Sequence, residues 1–347
     1  MINDKSLKML TEAIDKRVVE TGFSPYIPWF HKDKGYPTVG INKEKTPLPS
    51  ALYLSMKSDF AKYKYPVYLS KKEIENIKTY FTKPVKVLDG EKEHIVPSGH
   101  FCIVSEDGKM REVPDKMETE WKPERIHATK IAFVPDTPLR LYNIDQTNIK
   151  KVRPDLYASL TIPYKLRLHT SQNLQTIDKL VEDQGWICDI NQSLPMNEPA
   201  YYSISNNEIN MPPKDLYKSA ELYYGDLFHN MIHSRRMSSG FVIRSVDDEC
   251  HEQIIADFGA ALLLQKNNMN KYVSKNMVIG VPCFEKDEKI SDVLANIYKT
   301  TIFISSIVRS ESQQKQNQNE IEHLFEQAEN EAEQEQEEEK PRRGFHR

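Results

Sequence analysis

His229 and His233 have the spacing that most directly suggests chemistry. Between Ser219 and His233 the apolar residues Leu227, Phe228, Met231 and Ile232 recur at helical spacing, and Ser219 suits an N-cap. A helix here puts the two imidazoles one turn apart on one face, where both can grip a single metal ion. That is the histidine spacing of the zinc signature H-E-x-x-H. The Glu position of the signature is Asn230. In a zinc peptidase this Glu takes a proton from metal-bound water and passes it to the leaving amine, which a carboxamide cannot do at neutral pH. Conventional peptide hydrolysis is therefore not expected, and no catalytic residue is assigned.

An isolated H-x-x-x-H recurs by chance on solvated helix faces, so the pair needs support from elsewhere in the chain. The following segment, from about Glu249 to Gln265, is apolar nearly all round from Ile254 to Leu264, which marks a buried helix. Asp257 sits in its middle. A buried carboxylate is rare unless paired. It suits the second ring nitrogen of a metal-bound histidine, or alternatively a structural bond to backbone, Tyr223 or Tyr224. Gln253 and Glu249 precede Asp257 by one and two turns on the same face.

These helices belong to a chain of 347 residues, about twice a typical ~150-residue domain, so two domains are expected. Its apolar fraction is 39%, and no run approaches the ~20 apolar residues of a membrane span, so a membrane protein is excluded. The opening Met1 to Ser6 leads into a charged segment without the apolar core of a secretion signal, and a cytoplasmic location is expected. Cys102, Cys188, Cys250 and Cys283 contain no C-x-x-C pair, which argues against a disulfide framework or a thiolate zinc site and for buried free thiols.

Charge is distributed unevenly. Residues 1–160 carry 27 basic against 22 acidic side chains, residues 161–310 carry 15 against 18, and residues 311–347 carry 5 against 11. The last piece is rich in Gln, Asn and Glu and cannot bury a core. A disordered acidic tail is expected, preceded by one short amphipathic helix at Ile321, Leu324, Phe325 and Ala328, and offering a surface to a protein partner.

The positive first half interleaves cations and aromatic rings: Trp29 and Lys32 in one cluster, Lys62, Lys64 and Tyr65 in another. Single-stranded nucleic acid is held by this combination, cations following phosphates while rings stack on bases. Packing of the same aromatics in a core is the alternative. Strands are expected at Val67–Leu69, Val85–Val87, Phe101–Val104 and Ile131–Val134, with helices from about Ser6 to Thr21 and from Lys71 to Phe81. Residues 111–130 read as a charged loop, and Pro135, Pro138 and Pro154 as punctuation of a linker over 135–160. The fold class is α+β.

The chain resembles the ArdC-like antirestriction proteins of mobile elements and phages. The resemblance is carried by Tyr201-Tyr202-Ser203, by Asn207 to Pro213 with its Met-Pro, and by Tyr223 to Ser234, where the family has YY-x-x-L-x-HE-x-x-HS. Glu252 to Ala261 is similar to its EELVAEIGA helix, and Tyr142 to Thr147 to its N-x-x-Q-T strand. Pro28-Trp29, Gly40-Ile41-Asn42 and Val87 to Lys92 extend it into the first half, so that about residues 20–308 are covered.

The resemblance implies a single-stranded-DNA-binding domain over 1–150, a zincin-like metallopeptidase domain over 151–310, and the acidic tail over 311–347. It also implies a metal site from His229, His233, Gln253 and Asp257. The family's paired Glu-Glu is Glu252-Gln253 here, so a third-ligand position is an amide, a poor zinc ligand. A weakened zinc site and a metal-free relic both remain open. The expected protein binds single-stranded DNA through Trp29, Lys32, Lys62, Lys64 and Tyr65 and carries a pseudo-peptidase domain. Its rivals are a working metallopeptidase that uses Asp226 or Glu249 as base, and an interaction module acting through the acidic tail.

Overall fold

The computed structural model describes residues 4–20, 36–42, 46–57, 62–79, 83–165, 171–183, 185–267, 269 and 290–310. Trp29, Lys32, Cys283 and the tail 311–347 lie outside the described residues.

Helix α1 (Asp4–Glu20) is followed by β1 (Thr38–Val39), α2 (Leu48–Met56), β2 (Val67–Ser70) and α3 (Lys71–Asn76). Ser70 starts α3 with a capping box: its hydroxyl accepts from the Glu73 amide, and the Glu73 carboxylate accepts from the Ser70 amide. The helix ends well before Phe81, because Ile77 turns extended (ψ 112). Next come β3 (His94–Val104), β4 (Met110–Glu112), α4 (Lys116–Glu120), α5 (Pro123–Ala128) and β5 (Lys130–Asn143). The five strands form a sheet in the order β1-β2-β5-β3-β4, antiparallel except for the β1–β2 pair.

Two sequence expectations fail in this half. The charged stretch 111–130 is not a loop: Met117, Trp121 and Ile126 are buried and hold α4 and α5 against the core. Nor is 135–160 a linker, since β5 runs straight through Pro135 and Pro138. The prolines are tolerated because β2 pairs only with Leu141–Asn143, which leaves one edge of β5 free of a described strand at both of them. Pro138 also falls at the β3 register shift between Val96 and Ser98. Across from Pro135 stands Gly99, where a Cβ would lie 2.6 Å from the Val134 carbonyl, so only glycine fits. Val85–Val87 contributes only an isolated bridge, Val87 to Thr147.

The chain continues through α6 (Ile149–Val152), α7 (Pro154–Lys165) and α8 (Ser171–Glu182). A second sheet of three short strands, β6 (Asp189–Asn191), β7 (Tyr201–Ser203) and β8 (Glu208–Asn210), has β8 in the centre. Helices α9 (Ala220–Ser238) and α10 (Val246–Lys266) pack on each other, and α11 (residues 290–310) follows. Helix α11 returns to the first half. Its Tyr298 ring stacks on Phe101 of β3 at 4.0 Å, and Arg309 donates to the Glu118 and Trp121 carbonyls at 2.5 and 2.6 Å. One apolar core therefore runs from Leu10 of α1 through Phe133 of β5 to Phe228, Phe258 and Ile304. A smaller core under β2, α6 and α7 is built from Val67, Leu69, Ile144, Ile149 and Leu160. Among the described residues Cys102, Cys188 and Cys250 are buried free thiols, and no helix is long and apolar enough to cross a membrane.

Candidate metal centre and basic surface

Helix α9 begins where the Ser219 hydroxyl accepts from the Leu222 amide. Glu221 in its first turn and Arg235 and Arg236 in its last complement the helix dipole. It is buried on almost every side because the small sheet covers one face and α10 another. The contact with α10 is close: a Cβ on Gly259 would stand 2.5 Å from Ile232 Cδ1, so the glycine lets the helix axes approach.

That approach sets the geometry of the histidines. His229 Nδ1 stands 2.9 Å from Asp257 Oδ1, and His233 Nδ1 stands 3.1 Å from Glu252 Oε1. Glu252, itself fully buried, also accepts from the Arg236 guanidinium. The Glu252 carboxylate behind His233 puts that ring's proton on Nδ1 and its free lone pair on Nε2, and Asp257 stands at the corresponding position behind His229. The two Nε2 atoms face each other at 2.9 Å. Two lone pairs so placed repel unless a proton or a cation stands between them. With metal–nitrogen distances of about 2.0–2.1 Å, this separation corresponds to an angle of about 90° at a shared metal. Burial, reinforced by neighbouring His229, holds the His233 ring below its ordinary proton affinity and so keeps it in the neutral form a metal requires. Burial alone would raise Glu252, but His233 and Arg236 outweigh it and keep the carboxyl below its ordinary range.

The imidazoles open on a cavity of about 280 Å³ whose wall includes Asn230, Gln253, Tyr201, Tyr202, Met237 and Ile243. Two of these residues carry buried acceptors without a hydrogen-bond partner among the described residues: Asn230 Oδ1 and Gln253 Oε1. The Asn230 amide group is turned back to donate to the Asp226 carbonyl at 2.9 Å. Among the described residues no three His, Cys, Asp or Glu side chains converge as a metal-holding group. Residues at the cavity fit a metal through two imidazole nitrogens, with the neutral oxygen of Gln253 in place of a carboxylate. Asp257 stands behind His229, on the ring nitrogen away from His233. Tyr223 and Tyr224, the other partners considered for Asp257, donate instead to Gln192 at 3.3 Å and to Asp178 at 2.8 Å. Glu249 is exposed. Asp226 accepts from the Tyr217 hydroxyl at 3.0 Å, and burial together with that carboxylate pushes the phenol upward.

Sequence reasoning missed the Glu252 bridge between His233 and Arg236. The available signal was Glu252 directly before Gln253 on a helix otherwise apolar, one turn and a residue ahead of Asp257. It also missed the cavity wall supplied by β7 and by residues 237–243.

The residues expected to bind DNA present a different picture. Lys62 and Lys64 are exposed, with their ammonium groups 5.0 Å over Tyr63 and 5.5 Å over Tyr65. Tyr63 is buried and hydrogen-bonded to His94, whereas Tyr65 is half-buried, its edge against Tyr157 at 6.2 Å.

The helix pair and its two histidines fall within the match to a known class. A sequence profile described as zincin-like metallopeptidase matches residues 176–279. Over most of its length the chain shares the fold of ArdC, an antirestriction protein from plasmid R388. The metal-free crystal structure of that protein is 15% identical, with a TM-score of 0.52 over 89% of this chain and 98% of the other. Its Mn(II)-bound structure is 15% identical, with a TM-score of 0.51 over 88% and 97%. No curated protein matches the chain in sequence.

Proposed function

We propose that this chain is an ArdC-like antirestriction protein of a mobile element or phage. In this reading residues 1–150 bind single-stranded DNA, residues 151–310 form a zincin-like unit that holds a metal without hydrolysing peptides, and the acidic tail 311–347 meets a protein partner. The observation that carries the reading is the fold shared with antirestriction ArdC along nearly the whole of both chains. Exposed Lys62 and Lys64 beside half-buried Tyr65 support the DNA-binding part.

In the second unit His229 and His233 would hold the metal through Nε2, with Gln253 beside them. A bound metal would polarise a carbonyl and acidify a bound water. Asn230 cannot accept the proton such a water releases, and Asp226 is already engaged by Tyr217. The arrangement supports a structural or partner-holding role for the unit.

Three experiments test the proposal. Transfer of unmodified plasmid DNA into a restricting host should be more efficient in the presence of the protein, and equal transfer with and without it would overturn the antirestriction reading. Fluorescence anisotropy of the full chain should show salt-sensitive preference for single-stranded over duplex DNA. Peptidase activity in the unaltered chain would overturn the non-hydrolytic assignment, whereas activity gained only on Asn230→Glu supports it.

A further inference from the structure

The geometry points to a second strip of binding residues, Lys86, Lys150 and Lys151, which joins Lys62, Lys64 and Tyr65 in one continuous phosphate track for single-stranded DNA. This inference rests on the DNA-binding reading above and extends it to residues far away in sequence.

Three stretches meet on one surface. The Lys64 amide donates to Asp145 Oδ2 at 2.7 Å, and the Asn143 side chain donates to the Tyr65 carbonyl at 2.8 Å, which fixes residues 64–65 against 143–145. The Lys86 amide donates to Asn148 Oδ1 at 2.8 Å and its carbonyl accepts from the Asn148 amide at 3.1 Å, which fixes residue 86 against 148. The aromatic rings close the gap: Tyr65 meets Tyr157 edge-on, and Lys150 Nζ stands 5.9 Å over the opposite ring of that pair. Lys62, Lys64, Lys86, Lys150 and Lys151 are all exposed.

The acids on these stretches are engaged locally. Asp145 accepts from the Lys64 amide and from the Tyr157 hydroxyl, and Asp155 is held by Arg153. Asp89 stands 3.8 Å from Lys86 with both side chains well exposed, a pairing that salt and a competing phosphate readily displace. The surface lies directly over the smaller apolar core, with Ile149 and Leu160 buried beneath it. Lysines mounted on a packed platform lose less freedom on gripping a phosphate than lysines on a free loop. The positive charge, the half-buried Tyr65 ring and the rigid base together fit a flexible polyanion with stacking bases.

The test compares two pairs that each remove two positive charges from the full chain, by anisotropy against labelled single-stranded DNA over a salt series: Lys150→Gln/Lys151→Gln, and Lys179→Gln/Lys218→Gln on exposed sites of the second half. Loss of two phosphate contacts should lower the salt slope by about 1.4 and weaken binding on the order of tenfold at 0.1 M salt in the first pair alone. Unchanged binding in both pairs, with the unaltered chain still binding, overturns the track and leaves the DNA-binding reading standing. Equal weakening in both overturns it in favour of diffuse charge attraction. No binding by the unaltered chain overturns the reading and the track together.

Discussion

The candidate metal centre and the basic surface present opposite physical environments. At the centre His229, Asn230, Glu252 and Asp257 are buried, and the Nδ1 atom of each histidine faces a named carboxylate on α10. On the surface Lys62, Lys64 and Lys150 are exposed and stand 5–6 Å over neighbouring rings. On the proposed function, the first arrangement would suit a single ion oriented in a low-dielectric pocket, and the second a flexible strand followed along its length. Changes at the first site should therefore be severe and specific, and changes at the second graded and salt-dependent.

The largest expected effect is on Glu252→Ala. Removing this carboxylate leaves the Arg236 charge buried without its partner, and denaturant unfolding should show a loss of about 3–5 kcal/mol. A loss below ~1 kcal/mol would show that the bridge does not tie α9 to α10. The same group predicts a pH response. His233 resists protonation in the folded chain, so the unfolded chain takes up that proton first as pH falls through the ordinary histidine value of 6.5. Glu252, held low, likewise loses its contribution as pH falls further through its ordinary 4.5. Both act in one direction, and Tm should fall steadily from pH 7 to pH 4; a constant Tm over that range would contradict the pairing.

Next in size is the metal itself. Asp257→Ala leaves both Nε2 atoms in place but frees the His229 ring, and affinity for added Zn(II) or Mn(II), read by calorimetry, should fall about 10–100-fold. Gln253→Glu should act oppositely, since a carboxylate is the better zinc ligand. At the basic surface Tyr65→Ala should weaken single-stranded DNA binding by about 1–3 kcal/mol. The smallest change is Lys62→Gln/Lys64→Gln at high salt, where the loss visible at low salt should nearly vanish because the phosphate term is screened.

The parts of this molecule that were legible in the sequence are those fixed locally. Helix α9, its Ser219 cap and the common face of His229 and His233 follow from 3.6-residue periodicity and a capping side chain. The burial of Asp257 follows from its apolar neighbours in α10. What was not legible depends on partners distant along the chain. Proline 135 and Pro138 read as breakers until the one-sided pairing of β5 is known. Residues 116–128 look like loop until Arg309, nearly two hundred residues later, caps their carbonyls. Glu252 has no visible purpose until α9 supplies His233 and Arg236. Lys150 looked like part of a linker and stands 5.9 Å over the Tyr157 ring, which meets Tyr65 edge-on.

The return of α11 bears on the order in which the chain can mature. Phe101 of β3 has its stacking partner at Tyr298, and the carbonyls of α4 have theirs at Arg309. During synthesis the first sheet must therefore wait, with its α11-facing side uncovered, until nearly the whole chain has left the ribosome. Shortened translation products that end before residue 290 would expose that apolar side, and they should be drawn to chaperones rather than accumulate as stable half-molecules.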